Sequence, residues 1–209
     1  SNDEYPRHPT LMAQKDIRNG HGPAKSRLLN KATHLFRVRG YERTTVRDLA
    51  REVGIHSGSI FHHFSSKEAI LHAVMEDSLR SLLDRQEAAV DPEATARERL
   101  HQLIRVELGS HLGESGEAMS VLVGEWPSLS AESQKELLIL RDRYERPWEQ
   151  ALAECVANGD LRGDPVVARK LIAGALFHAT TWYRPDGAMS LEDITRQVVT
   201  MVVPGSPAG

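Results

Sequence analysis

The chain has a single cysteine, Cys155, among its 209 residues. That excludes a disulfide framework and any thiolate-based zinc site. Long apolar runs are also missing, so no membrane-spanning helix and no membrane partner are expected. Residues 1–22 are rich in Pro, Gly, Asn, Asp and His and lack the apolar stretch of a secretory signal. They read as a disordered arm ahead of a soluble, reduced, cytoplasmic protein.

Chemistry-bearing constellations are equally scarce. There is no His-x-x-x-His pair and no HExxH, so no metal site is expected. The adjacent His62 and His63 would point about 100° apart on a helix, which is poor geometry for a shared ion. Ser57, in "GIHSG", is one place off the G-x-S-x-G elbow. With no nucleophile–base pair in view, neither an enzyme nor a bound cofactor is expected.

What is present is an uneven charge distribution. The net charge is −3, but residues 21–75 hold nine Lys/Arg against four Asp/Glu, and residues 76–209 hold fourteen against twenty-two. A small basic segment ahead of a larger acidic body suggests that one part faces a polyanion.

Hydrophobic periodicity is helical almost throughout, without a convincing alternating strand. Leu28, Leu29, Ala32, Leu35 and Phe36 form one stripe that stops at Gly40. Thr45 and Asp48 have the spacing of a capping box for a short helix ending at Gly54. Ser57 is placed to cap a third helix over 57–63, and Ser65 with Glu68 to open a longer fourth. Further helices are expected at about 93–112, 116–126, 130–158, 164–183 and 190–203, with Pro147 kinking or restarting the longest. The "PGSPAG" ending, residues 204–209, reads as frayed.

Two short helices joined at Gly54 have the dimensions of a helix-turn-helix. With Ile60 at the centre of the inward face of the second, Phe64 lies within about 40° of it. Gly58, Ser59, His62 and His63 then face outward. They are small or hydrogen-bonding residues and none is acidic, as a helix entering a DNA groove requires.

The segment "TTVRDLAREVGIHSGSIFHHFSSKEAIL" resembles the DNA-binding part of the TetR family of bacterial transcriptional regulators, with similarity from about Lys25 to Val74. The resemblance implies an all-α protein: a helix-turn-helix domain over 23–68, then a ligand-binding and dimerisation domain over 69–203. It implies phosphate contacts for Thr45, Arg47, His63 and Lys67, and base-edge contacts for Ser57, Gly58, Ser59 and His62. Phe61 stands where the family usually has Tyr, so a phenolic phosphate contact gives way to packing against sugar or helix.

A second stretch, "TTWYRPDGAMSLEDITRQVVTMVV", is similar to the last two helices of TetR-type regulators that respond to acyl-CoA thioesters, the steroid-catabolism repressors above all. That likeness implies a homodimer joined through the last two helices, with Val167, Leu171, Ala175 and Ala179 on one stripe and Leu191, Ile194, Val198 and Met201 on the other. The expected partners are double-stranded operator DNA and a small apolar effector of the CoA-thioester kind, with Trp126, Arg143, Phe177, Trp182 and Arg184 as candidate ligand residues. The expected function is repression relieved by that effector. The alternative is a repressor or activator that senses a hydrophobic drug-like or cationic compound, which would set carboxylates such as Glu125 beside aromatic faces.

Overall fold

A computed structural model describes residues 22–113 and 115–204. The expected arm, Gly22 apart, and the expected frayed end beyond Pro204 lie outside the described residues. Among the described residues the secondary structure is helical, with no strand.

Helix α1 (Pro23–Arg39) begins on proline, whose missing N–H costs nothing in a first turn, and buries Leu28, Leu29, Ala32, Leu35 and Phe36. Helix α2 (Val46–Val53) starts at the Thr45–Asp48 capping box and ends at Gly54, which is left-handed at φ 78°. Helix α3 (Ser57–Ile60) is shorter than its sequence pattern predicts. The N–H groups of His63 and Phe64 both turn back to the Ile60 carbonyl, and this swings Phe64 into the core. Ser57 is the first helical residue and not the cap; His56 occupies the cap position without a side-chain bond.

Helix α4 (Lys67–Ala89) also starts differently. Ser66, not Ser65, caps it by accepting from the Ala69 N–H. Glu68 is therefore free of the expected box. Its carboxylate instead accepts from the Ser130 N–H at 2.8 Å and the Ser133 hydroxyl at 2.9 Å, at the amino end of another helix. The positive pole of a helix start favours an anion there. These donors hold the Glu68 carboxyl below the usual carboxylate range.

The remaining elements are α5 (Ala96–Leu112), α6 (Gly116–Gly124), a 3₁₀ turn at Trp126–Ser128, α7 (Ala131–Ala157), α8 (Pro165–His178), a second 3₁₀ turn at Ala179–Thr181, and α9 (Leu191–Val202). Helix α7 continues through Pro147 without a break; Tyr144, Trp148, Ala151 and Leu152 are buried on both sides of it, so packing outweighs the lost hydrogen bond. The expected helix over 164–183 stops at His178 and tightens into the 3₁₀ turn.

The long α4 packs against α1, α5, α6 and α7. Its first half contributes Ile70, Leu71, Val74 and Met75 to the core, and its second half Leu79, Leu82 and Leu83. Helix α8 lies on α7 and α5, and α9 lies on α5.

A largely buried charged cluster lies where α5, α7 and α8 meet, with Glu107 at its buried centre and Glu145 at its rim. Arg169 pairs with Glu107 at 2.8 Å and with Glu145 at 2.7 Å. The Tyr144 hydroxyl donates to Glu107, and the guanidinium lies 4.0 Å from the Trp148 ring centroid. Burial and the Glu107 charge push the Tyr144 phenol well above its ordinary range. Burial works against the Arg169 charge as well, but the two carboxylates outweigh it. Removing one partner of such a cluster leaves an uncompensated charge inside. Arg169→Met is expected to cost about 3–5 kcal/mol of stability, measured by urea unfolding of the whole chain. A loss below about 1 kcal/mol would place the cluster in contact with water.

Candidate nucleic-acid interface

The sequence-predicted DNA face lies on one side of the α2–α3 unit. Ile60 and Phe64 are buried, while Gly58, His62 and His63 are exposed and Ser57 and Ser59 are half-exposed. Phe61 is 56% exposed, so core packing does not account for a large aromatic there. Thr45 and Arg47 are exposed at the start of α2. Asp48, the acidic residue of this face, is already engaged: Thr45 donates to it from backbone and side chain, and Arg51 pairs with it. Those hydrogen bonds, ahead of the Arg51 and Arg39 charges, hold its carboxyl below the usual range.

Lys67 differs from the rest. It is half-buried, its ammonium donates to the Tyr41 carbonyl at 2.9 Å, and it lies 3.9 Å from the Tyr41 ring centroid. Two of its three N–H donors remain for an outside acceptor. Lys25 adds a cation that the sequence pattern did not single out, 5.1 Å from the Phe64 ring centroid. Only the folding of α1 against the segment that follows α3 places it there.

The five candidate ligand residues are not gathered around one space. Trp126 is half-buried under Arg141 at 5.0 Å. Arg143 is exposed and paired with Glu87 at 2.9 Å. Phe177 meets the buried His111 edge-on at 5.7 Å, and burial holds that histidine below its ordinary pKa. Trp182 and Arg184 are exposed in the loop after α8. A shallow hollow of about 300 Å³ lies along α5 and the loop before it, another of about 180 Å³ lies between α5 and α9 beside Arg196, and none of the five lines either. Sequence reasoning missed the polar cluster around Arg169. Its signal was available: Glu107 and Arg169 are opposite charges sitting on the apolar stripes of two helices. Among the described residues no group of His, Cys, Asp or Glu is arranged to hold a metal ion, and no helix is long and apolar enough to cross a membrane.

Comparison with known proteins agrees with this geometry. Residues 28–74 match the family profile described as bacterial regulatory proteins, tetR family. Residues 93–206 match the tetracyclin repressor-like C-terminal domain. The HTH-type transcriptional repressor KstR2 of Mycolicibacterium smegmatis is 32% identical over 188 residues, covering 88% of this chain and 91% of that protein. Among solved structures, superantigen PfiT is 50% identical, with a TM-score of 0.73 over 88% of this chain and 98% of its own. The ketosteroid transcriptional regulator KstR2 of Mycobacterium tuberculosis is 26% identical, with a TM-score of 0.73 over 86% and 94% of the two chains. A basic helix-turn-helix headpiece on a helical body, matched along both parts, places this chain in the TetR family of bacterial transcriptional regulators, DNA-binding proteins and not enzymes.

Proposed function

We propose that the protein is a dimeric transcriptional repressor, released from a near-palindromic operator by an apolar effector of the CoA-thioester kind. The observation that carries the DNA reading is the division of residues 57–64, with Ile60 and Phe64 buried and Gly58, Phe61, His62 and His63 turned outward. In this reading Ser57, Gly58, Ser59 and His62 meet base edges. Thr45, Arg47, His63 and the free donors of Lys67 meet phosphates, and Phe61 packs on sugar. Two copies would set their recognition helices in successive major grooves about one turn apart.

The dimer is proposed through the last two helices, with α8 as the main apolar surface. Val167 and Leu171 are 53% and 70% exposed, and Gly174 and Ala175 continue the line with small residues that allow close approach. On α9, Met201 is 81% exposed, but Ile194 and Val199 are already buried against the protein's own core.

The effector reading has two supports. The M. smegmatis relative is a repressor and the M. tuberculosis one a ketosteroid regulator. Arg141, Arg143 and Arg146 stand exposed along α7, a supply of cations for phosphate oxygens. Because Trp126, Arg143, Phe177, Trp182 and Arg184 are dispersed, their joint role requires the helices to part when the effector enters. The effector then shifts the equilibrium only by its differential affinity for the opened state. The rival cation sensor loses its best carboxylate, since Glu125 accepts hydrogen bonds from Tyr41 and Ser128.

On a duplex selected by the protein from a random pool, His62→Ala is expected to cost about 1–3 kcal/mol and to relax preference at one base position. Lys67→Ala should weaken all duplexes alike and reduce the slope of log K against log salt by about one. Parent-like binding by both variants removes the groove assignment. Leu171→Asp should convert the dimer to a folded monomer in analytical ultracentrifugation; a dimer of unchanged strength moves the interface off α8. In a thermal-shift screen of acyl- and steroid-CoA thioesters against hydrophobic cations, a true effector at a hundred times its Kd adds about 2.7 kcal/mol. That corresponds to a Tm rise of roughly 5–10 °C. A rise with cations alone reverses the effector assignment.

A further inference from the structure

The geometry points to Glu125 as a positioning residue for operator binding: through the backbone of Tyr41 it grips the helix-turn-helix at both of its ends. Glu125 lies in the body, just after α6 and just before the Trp126–Ser128 turn. Its Oε1 accepts the Tyr41 N–H at 3.0 Å, and its Oε2 is held by the Ser128 hydroxyl at 2.8 Å. The Tyr41 carbonyl then accepts from two directions. The Thr44 N–H closes the turn that leads directly into the Thr45 cap of α2. The Lys67 ammonium comes from the first residue of α4, just after the recognition segment. One residue thus ties the start of α2 and the start of α4 to one carboxylate of the body.

The surroundings are built for this contact. Gly40 has φ 82°, and a Cβ there would lie 3.7 Å from Glu125 Oε1, so the carboxylate rests against a bend that only glycine takes readily. The Tyr41 ring is buried, stacks edge-on against Phe36 at 5.4 Å and takes Lys67 on its face. Other polar ties between headpiece and body are weaker candidates. His34 and Arg37 reach Glu117 at 3.2 Å, but all three side chains are well exposed, where water and salt screen them. Glu68 reaches Ser130 and Ser133, yet touches only the α4 end.

The inference rests on operator binding as proposed above, and it makes a prediction opposite in sign to simple electrostatics. Removing a carboxylate near a DNA-binding face should by charge alone tighten binding. If Glu125 positions the headpiece, Glu125→Ala should instead weaken it about tenfold. The salt slope should stay unchanged, because no phosphate contact is lost.

The experiment uses the full-length protein, and fluorescence anisotropy against a duplex that the parent selects from a random pool. Glu125→Ala is expected to bind about tenfold more weakly at unchanged salt slope, and Glu125→Gln, which keeps an acceptor oxygen for the Tyr41 N–H, to recover most of the loss. Equal or tighter binding by Glu125→Ala, or no recovery with Gln, would each overturn the inference. If Glu125→Ala does not fold, Glu125→Asp decides: it keeps the charge but draws the carboxylate back from the Tyr41 N–H, so it is expected to bind severalfold more weakly than Glu125→Gln, and parent-like binding by Asp would overturn the inference. Failure of the parent to select any duplex would sink the operator reading itself, an outcome distinct from these.

Discussion

The packing of α4 is the constraint on which the molecule depends. Its first turns contribute Ile70, Leu71, Val74 and Met75 to the same core that holds Ile60 and Phe64, and its later turns form part of the body's core beside α5 and α7. A boundary drawn at residue 68 falls in the first turn of this helix. Neither part can move against the other without disturbing buried leucines, so any signal from the body must act on α4 or on contacts flanking it. The polar ties at Glu68 and Glu125 lie at that junction.

Within the body, hydrophobic burial supplies cohesion and the Arg169 cluster supplies orientation. Burying a guanidinium between Glu107 and Glu145, over Trp148, gains little over well-packed apolar side chains. What it does is restrict how α8 can lie on α5 and α7, because a slide that separates the charges leaves one of them unpaired. The same α8 presents Val167 and Leu171 to solvent. A helix that is pinned on its inner face and apolar on its outer face fits the dimer interface proposed above.

The recognition segment uses the opposite device. It is short, held by Ile60 and Phe64, and leaves its other side chains almost without internal partners. Among the proposed DNA-contacting residues, Thr45 is engaged locally in the α2 capping box, whereas Lys67 is held by Tyr41, 26 residues away.

The sequence alone determined the all-helical class, the capping box at Thr45, the turn at Gly54 and the inward and outward faces of residues 57–64. Each of these depends on residues within about four positions of one another, and helical periodicity makes such neighbours legible. Only the tertiary structure decided the rest. Glu68 left its expected box for Ser130, 62 residues away, and Glu125 found the Tyr41 N–H across 84 residues. Arg169 and Glu107 met inside the body, also 62 residues apart. The five ligand candidates, chosen for residue type, were dispersed over different elements, because an aromatic or an arginine carries no record of its neighbours in space. Local rules state which face of a helix is apolar. Which other helix covers that face, and which charge it carries there, follows from packing of the whole chain.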